Sequence, residues 1–163
     1  MLNIVQPTNA YFGQKDAAQC VLIRRIVEDL DMDVNVIIKD TIRESDGLAM
    51  SSRNAYLTAT ERQAAPIVYK SLCIARELFQ QEVESNGDNN GSVLASRLRE
   101  VVESNLQTEP LVTEIQYVSV DSRTTMEELE RVEKDVGAII SLACKIGSVR
   151  LIDNILLYKD WQS

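Results

Sequence analysis

The stretch Asp46-Gly47-Leu48-Ala49-Met50-Ser51-Ser52-Arg53-Asn54 sets two hydroxyls and a guanidinium side by side, just after a glycine. Glycine accepts backbone angles that other residues avoid. Hydroxyls and backbone N–H groups fit closely around phosphate oxygens, and a guanidinium grips them with paired bonds. The stretch therefore suits a phosphate; read alone, it also suits a polar loop capping the next helix. A second polar cluster, Tyr11-Phe12-Gly13-Gln14-Lys15-Asp16-Ala17-Ala18-Gln19, lies upstream and reads as a short strand, a glycine turn and a helix start. Lys15 is its most informative charge. It stands where free N–H groups and the helix dipole already favour an anion, although a solvated lysine at a helix end is the plainer alternative. Asp16 most simply stabilises the same helix N-terminus. Gln19 falls on the Lys15 face by the i, i+4 relation, able to hydrogen-bond beside whatever Lys15 holds or simply to face solvent.

The elements that must position these groups follow from periodicity. Met1 to Val5 is a short apolar run stopped at Gln6-Pro7. Ala10-Tyr11-Phe12 reads as a short buried strand. From Lys15 to Leu30 the spacing is helical, with Ala18, Leu22, Ile23, Ile26, Val27 and Leu30 on one side and Arg24, Arg25, Glu28 and Asp29 on the other. Asp33 to Asp40 alternates around Val34, Val36 and Ile38 as a strand. Residues 11–42 thus form one βαβ unit, and the glycine turn lies at the carboxyl end of its first strand, where parallel α/β sheets bind ligands. The pattern predicts parallel neighbours in one sheet.

Arg43 to Leu57 is irregular and marks the expected domain boundary. Thr58-Ala59-Thr60-Glu61 is a capping-box pattern opening a long helix to about Glu84, which Pro66 should kink or delay. Ser85 to Gly91 is expected to be an exposed turn. Ser92 is expected to cap a second helix to about Asn105, with Val93, Leu94, Leu98, Val101 and Val102 as its apolar face. Strands are expected over Glu114–Val120, Ala138–Cys144 and Arg150–Leu157, with a short helix over Thr125–Val132 between the first two. The acidic run Glu127–Asp135 reads as a solvated helix face and turn. Trp161 reads as a loose tail anchor or an exposed residue. Asp153 and Asn154 read as turn or strand-pairing residues.

Composition narrows the class. The 163 residues are 45% hydrophobic and 26% charged, as in globular proteins. A net charge of −8 argues against nucleic acid as a partner, because phosphate backbones demand a positive face. It does not forbid a small phosphate-bearing ligand, which needs only a local cluster such as Lys15 with Arg53. Three cysteines, Cys20, Cys73 and Cys144, lie far apart without metal-ligand spacing, which suggests reduced, buried thiols in a cytoplasmic protein. No apolar run reaches ~18 residues and no basic-then-apolar leader precedes the first motif, so neither a membrane partner nor a secretion signal is expected.

Phe12-Gly13-x-Lys15-Asp16 with Gln19 beyond it, followed by Arg43-Glu44-Ser45-Asp46-Gly47-Leu48-Ala49-Met50-Ser51-Ser52-Arg53-Asn54, resembles the pantothenate synthetase (pantoate–β-alanine ligase) family. The resemblance runs from Leu2-Asn3-Ile4-Val5-Gln6-Pro7 to Arg150-Leu151-Ile152-Asp153-Asn154. It covers most of the chain, and the two motifs at this spacing are specific. The family's first half, with its His-x-Gly-His signature, has no counterpart, since the chain contains no histidine. The resemblance is thus to the C-terminal half.

It implies an α/β fold: the C-terminal part of a Rossmann-like nucleotidyltransferase domain over residues 1–42, contributing one βαβ unit, then a small α+β domain over 43–163. That second domain would carry helices on an antiparallel sheet and close over the ATP site. Met1 to Val5 would be the tail of a helix, and the truncated sheet should show an open edge or an apolar face. ATP contacts fall on Gly13, Gln14, Lys15, Asp16, Ile42, Met50, Ser51, Ser52 and Arg53, and a pantoate contact on Gln19. Lys15, Ser51, Ser52 and Arg53 would carry the catalytic electrostatics and face a common cleft. The implied reaction makes pantoyl adenylate from pantoate and ATP, then joins β-alanine to give pantothenate and AMP. Magnesium would travel with the ATP; Glu44 and Asp46 more plausibly shape the loop than bind it. The family's dimer contacts lie largely in the other half, so a homodimer of the full-length protein stays open. This half alone is expected to be inactive. The alternative is a non-catalytic nucleotide-binding or assembly module derived from the ligase.

Overall fold

A short helix α1 (Leu2–Val5) ends at Gln6 in the left-handed region and leads into strand β1 (Asn9–Gly13). Helix α2 (Ala17–Asp29) then returns the chain to strand β2 (Asn35–Lys39), which pairs with β1 in parallel from Asn9↔Asn35 to Gly13↔Lys39. Parallel neighbours need such a crossover, and the expected βαβ unit is present. A computed structural model describes residues 1–85, 91–158 and 161; residues 86–90 of the expected Ser85–Gly91 turn lie outside them.

The α2 faces differ from expectation. The buried side is Ala17, Cys20 and Val21, whereas Leu22 and Leu30 are 57% and 65% exposed and Ala18 is exposed too. Ile23, Ile26 and Val27 are half-buried. The helix has turned its narrow small-residue side inward because it packs on Ile38, Ile139 and Trp161. Tyr11 is likewise 62% exposed, so β1 is not the buried strand its composition suggests. The two-stranded sheet has an open edge on each strand among the described residues.

After a 3-10 helix over Ser52–Tyr56, α3 (Ala59–Ala64) opens on a complete capping box between Thr58 and Glu61. Pro66 has no N–H to continue the ladder, and α4 (Ile67–Ser85) starts only beyond it. Ser92 does not cap a helix. Residues Ser92–Leu94 form strand β3, where the Ser92 hydroxyl accepts from Arg131 Nε at 3.0 Å, and helix α5 (Ala95–Leu106) begins three residues later. The partner of β3 is β5 (Arg131–Glu133), antiparallel to it.

Strand β4 (Val112–Asp121) is followed by turns, not by the helix expected over Thr125–Val132. Ser122 Oγ accepts from the N–H groups of Thr124 and Thr125, Thr125 Oγ1 accepts from Glu127 N, and Met126 has φ 60°. Hydroxyls that satisfy backbone donors locally compete with helix formation, and here they win. The acidic run is accordingly exposed turn and β5. Strands β6 (Ala138–Ile146) and β7 (Val149–Leu157) complete an antiparallel sheet in the order β4-β6-β7.

Helices α4 and α5 cover one face of that sheet with Leu72, Phe79, Leu98 and Leu106 against Val120, Ile140 and Leu142. β6, the central strand, is buried except at Lys145. Neighbouring residues on a strand face opposite ways. Ile140 accordingly joins the main core while Ile139 joins the cluster under α2. One strand thus holds both halves together. Trp161 is buried in the second cluster, with Arg24 5.3 Å above its ring and donating to its carbonyl at 2.9 Å, so it is a tail anchor rather than an exposed residue. No helix among the described residues is long and apolar enough to cross a membrane. The three cysteines are free, and Cys73 is half-buried rather than buried.

Candidate functional site

At the carboxyl end of β1 the ladder runs one residue further, Gln14 N donating to Lys39 O at 2.7 Å, before the chain turns into α2. Asp16 occupies the N-cap of α2 but makes no side-chain cap bond, so the first N–H groups of the helix have no side-chain partner there. Lys15 Nζ reaches over to the Met50 carbonyl at 3.0 Å. This contact brings the two sequence motifs together across the expected boundary. Burial lowers the Lys15 pKa; Asp153 and Asp16 pull the other way, while Arg53 and Arg43 push it further down. Of the three cations here, Arg43 is paired with Asp153, which leaves Lys15 and Arg53 as the charges available to an anion.

The second motif is a tight loop. Met50 N donates to Ile42 O at 2.9 Å, Glu44 N to Leu48 O at 2.8 Å, and an isolated bridge pairs Arg43 with Ala49. Asp46 shapes it, accepting from Leu48 N at 3.1 Å and pairing with Arg62 at 2.5 Å, which lowers its pKa. Gly47, at φ 93°, lies flat against Tyr69. Ser51 Oγ accepts from Arg53 N at 3.2 Å and opens the 3-10 helix, which leaves its own proton free to donate. Ser52 and Arg53 are exposed, and Arg53 makes no ion pair among the described residues.

The remaining expected residues are less uniform. Ile42 is 72% exposed, with its carbonyl already taken by Met50. Gln19 is exposed on α2 one turn past Lys15. The Gln14 side chain points away from solvent and donates to Asn154 Oδ1 at 3.3 Å. Gly13 has open space where a Cβ would stand. A cavity of about 250 Å³ beside the start of α2 includes Lys15, Asp16, Ser119, Asp121 and Ser141 in its lining, but not Ser51, Ser52 or Arg53. Ser51 is half-buried and Ser52 and Arg53 are exposed outside it, linked to Lys15 through Met50. The expected common cleft is therefore two adjoining surfaces.

The reading of the sequence missed Arg43, Asp153 and Asn154 as site residues. Arg43 is bidentate to the buried Asp153 at 2.6 and 3.0 Å, and Asn154 donates to the carbonyls of Gln14 and Lys15 at 3.0 and 2.9 Å. The available signal was an Asp-Asn pair in the middle of a strand whose other residues, Arg150 apart, are apolar. Buried polar residues there need specific partners.

A protein-family model described as Pantoate-beta-alanine ligase matches residues 1–156. Pantothenate synthetase of Chloroflexus aggregans is 46% identical over 157 residues, which is 96% of this chain and 53% of that protein. A bifunctional pantoate ligase/cytidylate kinase of Trichodesmium erythraeum is 40% identical over the same length, 28% of its own. Among solved structures, pantothenate synthetase from Thermus thermophilus superposes with a TM-score of 0.80 at 35% identity, over 97% of this chain and 52% of that one. The Francisella tularensis pantoate-beta-alanine ligase, crystallised with beta-gamma ATP and beta-alanine, gives 0.57 at 30% identity over 98% and 47%. The chain thus spans about half the length of the single-function curated relatives it matches. With its two motifs in contact and nearly its whole length matched, this chain belongs to the pantoate–β-alanine ligase family.

Proposed function

We propose that the chain supplies one wall of the active site of an AMP-forming ligase that joins pantoate to β-alanine. Residues 1–42 would be the end of a Rossmann-like nucleotide-binding domain, and 43–163 the C-terminal domain closing over ATP. A pantoate carboxylate oxygen attacks the α-phosphorus and pyrophosphate leaves, giving pantoyl adenylate. The β-alanine amine then attacks the acyl carbon; the C–O bond to AMP breaks, the nitrogen loses a proton, and pantothenate forms. Negative charge builds on the phosphates in the first step, and preorganised donors offset it. Lys15, the Ser51 and Ser52 hydroxyls and Arg53 would supply those donors, with the free N–H groups of α2 behind them. Gly13, Gln14, Asp16, Ile42 and Met50 would shape the nucleotide contact, and Gln19 would meet pantoate. Among the described residues no three His, Cys, Asp or Glu side chains stand together as a metal cage. That arrangement suits magnesium arriving with the phosphates, held mainly by them and by water. Free thiols fit a reducing, cytoplasmic setting.

The observation that carries the reading is the Lys15–Met50 contact, because it sets the Lys15 ammonium beside the segment that carries Ser51, Ser52 and Arg53. The test is AMP and pantothenate release from ATP, magnesium, pantoate and β-alanine. The chain alone should be inactive, since the histidine-bearing wall is absent from it, and mixing with a separately produced N-terminal half of a relative should restore turnover. Tight ATP binding by the mixture without product would favour a non-catalytic nucleotide module. Steady turnover by the chain alone would refute the half-site reading.

A further inference from the structure

Among the described residues, strand β7 has β6 on one side only. Chain from the other end of the molecule occupies the region beside its Asp153 and Asn154. The Asn154 amide uses all three of its polar contacts on the glycine turn: Nδ2 donates to Gln14 O at 3.0 Å and Lys15 O at 2.9 Å, and Oδ1 accepts from Gln14 Nε2 at 3.3 Å. The neighbouring Asp153 carboxylate takes both terminal nitrogens of Arg43, at 2.6 and 3.0 Å. Arg43 Nη1 donates again to the Gly47 carbonyl at 3.1 Å, and the Tyr69 ring lies 3.6 Å from the guanidinium carbon. Asp153 Oδ1 also accepts from Asn154 N at 2.8 Å, so the two anchors are tied to each other. Both residues are almost fully buried, at 3% and 2% exposure.

Charge and donor pattern are matched at every contact. An amide can face two carbonyls with its nitrogen, but a carboxylate would meet them oxygen to oxygen. A carboxylate suits a two-pronged guanidinium, and an amide there would leave a buried positive charge unpaired. Asp-Asn in this order fits the two segments, and the reverse order fits neither.

We propose that Asp153 and Asn154 are positioning residues that join the Gly13–Asp16 turn and the Arg43–Arg53 segment into one unit, so that both open and close together. The inference rests on the ligase reading only for what those segments face. Its competitor is the Lys15–Met50 bond, which also links them and which substitutions on β7 leave in place.

Backbone amide hydrogen exchange on the whole chain, as wild type, Asn154→Asp and Asp153→Asn, separates the two. The expected result is that either substitution speeds exchange in both segments by about tenfold or more, while the β6 amides from Ile140 to Ala143 keep their protection. The double variant should add little to either single one, because a shared latch breaks once. Should Asn154→Asp not fold, the isosteric Asp153→Asn carries the same readout. Loosening confined to the segment each residue touches would overturn the proposal. A uniform rise across β6 and the helices would overturn it too, since that is ordinary loss of stability. Adding ATP with magnesium to the chain mixed with the N-terminal half of a relative distinguishes the proposal from the reading it builds on. Nucleotide protection over both segments in the wild type, lost from both in Asn154→Asp, supports it. Equal nucleotide protection in the two proteins overturns the positioning role. No protection in the wild type counts against the nucleotide reading alone, and the ligand-free exchange still decides the latch.

Discussion

Replacing Gly47 by alanine puts a methyl group where the loop leaves no room for one. The backbone there has φ 93°, on the side of the map that a Cβ makes costly by about 1–2 kcal/mol. The new carbon would stand 2.6 Å from Cδ1 and 3.3 Å from Cε1 of Tyr69. The ring has to move, and it cannot do so independently, because Arg43 is stacked on it at 3.6 Å while holding Asp153. Overpacking of this kind costs about 1–3 kcal/mol, so the two effects together predict a loss of about 2–5 kcal/mol. In a chain of this size that corresponds to a fall in Tm of roughly 5–15 °C. Urea unfolding followed by circular dichroism measures it. Repeating Gly47→Ala in a Tyr69→Leu background removes the ring and should leave only the backbone cost of about 1–2 kcal/mol. A loss below about 0.5 kcal/mol, or the same loss with and without the ring, would refute the clash argument.

In a complete enzyme built on this half, Lys15→Ala should cost about 2–4 kcal/mol of transition-state stabilisation, read from kcat/KM for ATP. Arg53→Lys should also lower kcat/KM, since an ammonium cannot reproduce a planar two-pronged grip; unchanged values in both variants would remove these residues from the mechanism. Burial raises the Cys144 pKa from 9.0 to about 11, so between those values the folded chain holds a proton that the unfolded chain has released. Stability should therefore fall as pH rises through that window, by up to about 2–3 kcal/mol relative to Cys144→Ala, measured as the difference in urea midpoints. Asp121 is raised above 3.8, mainly by burial, against the Ser119 hydrogen bond. Its ionised form costs stability once pH passes the unfolded value, so Asp121→Asn should flatten the decline above pH 3.8, as a urea titration in acid would show.

Patterns that a single segment imposes on itself were legible in the sequence. The parallel β1-α2-β2 unit, the capping box at Thr58, the break at Pro66 and the three long strands follow from periodicity, capping and proline chemistry. Errors arose where distant chain decides. The inward side of α2 is set by Ile139 and Trp161, so the widest apolar stripe was the wrong one to bury. Ser92 looks like a cap until β5 arrives to pair with it. The Thr125–Val132 segment has helical spacing, but its hydroxyls capture the backbone donors first. For the site, residue types and spacing pointed to Lys15 and Met50–Arg53, and the structure brings those two segments into contact. The bracing by Asp153 and Asn154 was illegible, because a strand sequence does not say which loop will lie beside it.

The bonds from Asn154 to Gln14 and Lys15 span 140 and 139 positions of the chain. A ribosome delivers β1 and α2 well before β7. Until β7 emerges, the Gln14 and Lys15 carbonyls have only water to satisfy them, and Arg43 has no carboxylate at Asp153. Closing so long a loop comes late on entropic grounds as well, since non-local contacts form after the local ones that shorten the path between them. The Gly13–Asp16 turn, made well before β7, would then be among the last parts to take its final shape. A nascent chain that stalls before Asp153 carries both motifs and yet has neither of them braced in its final place.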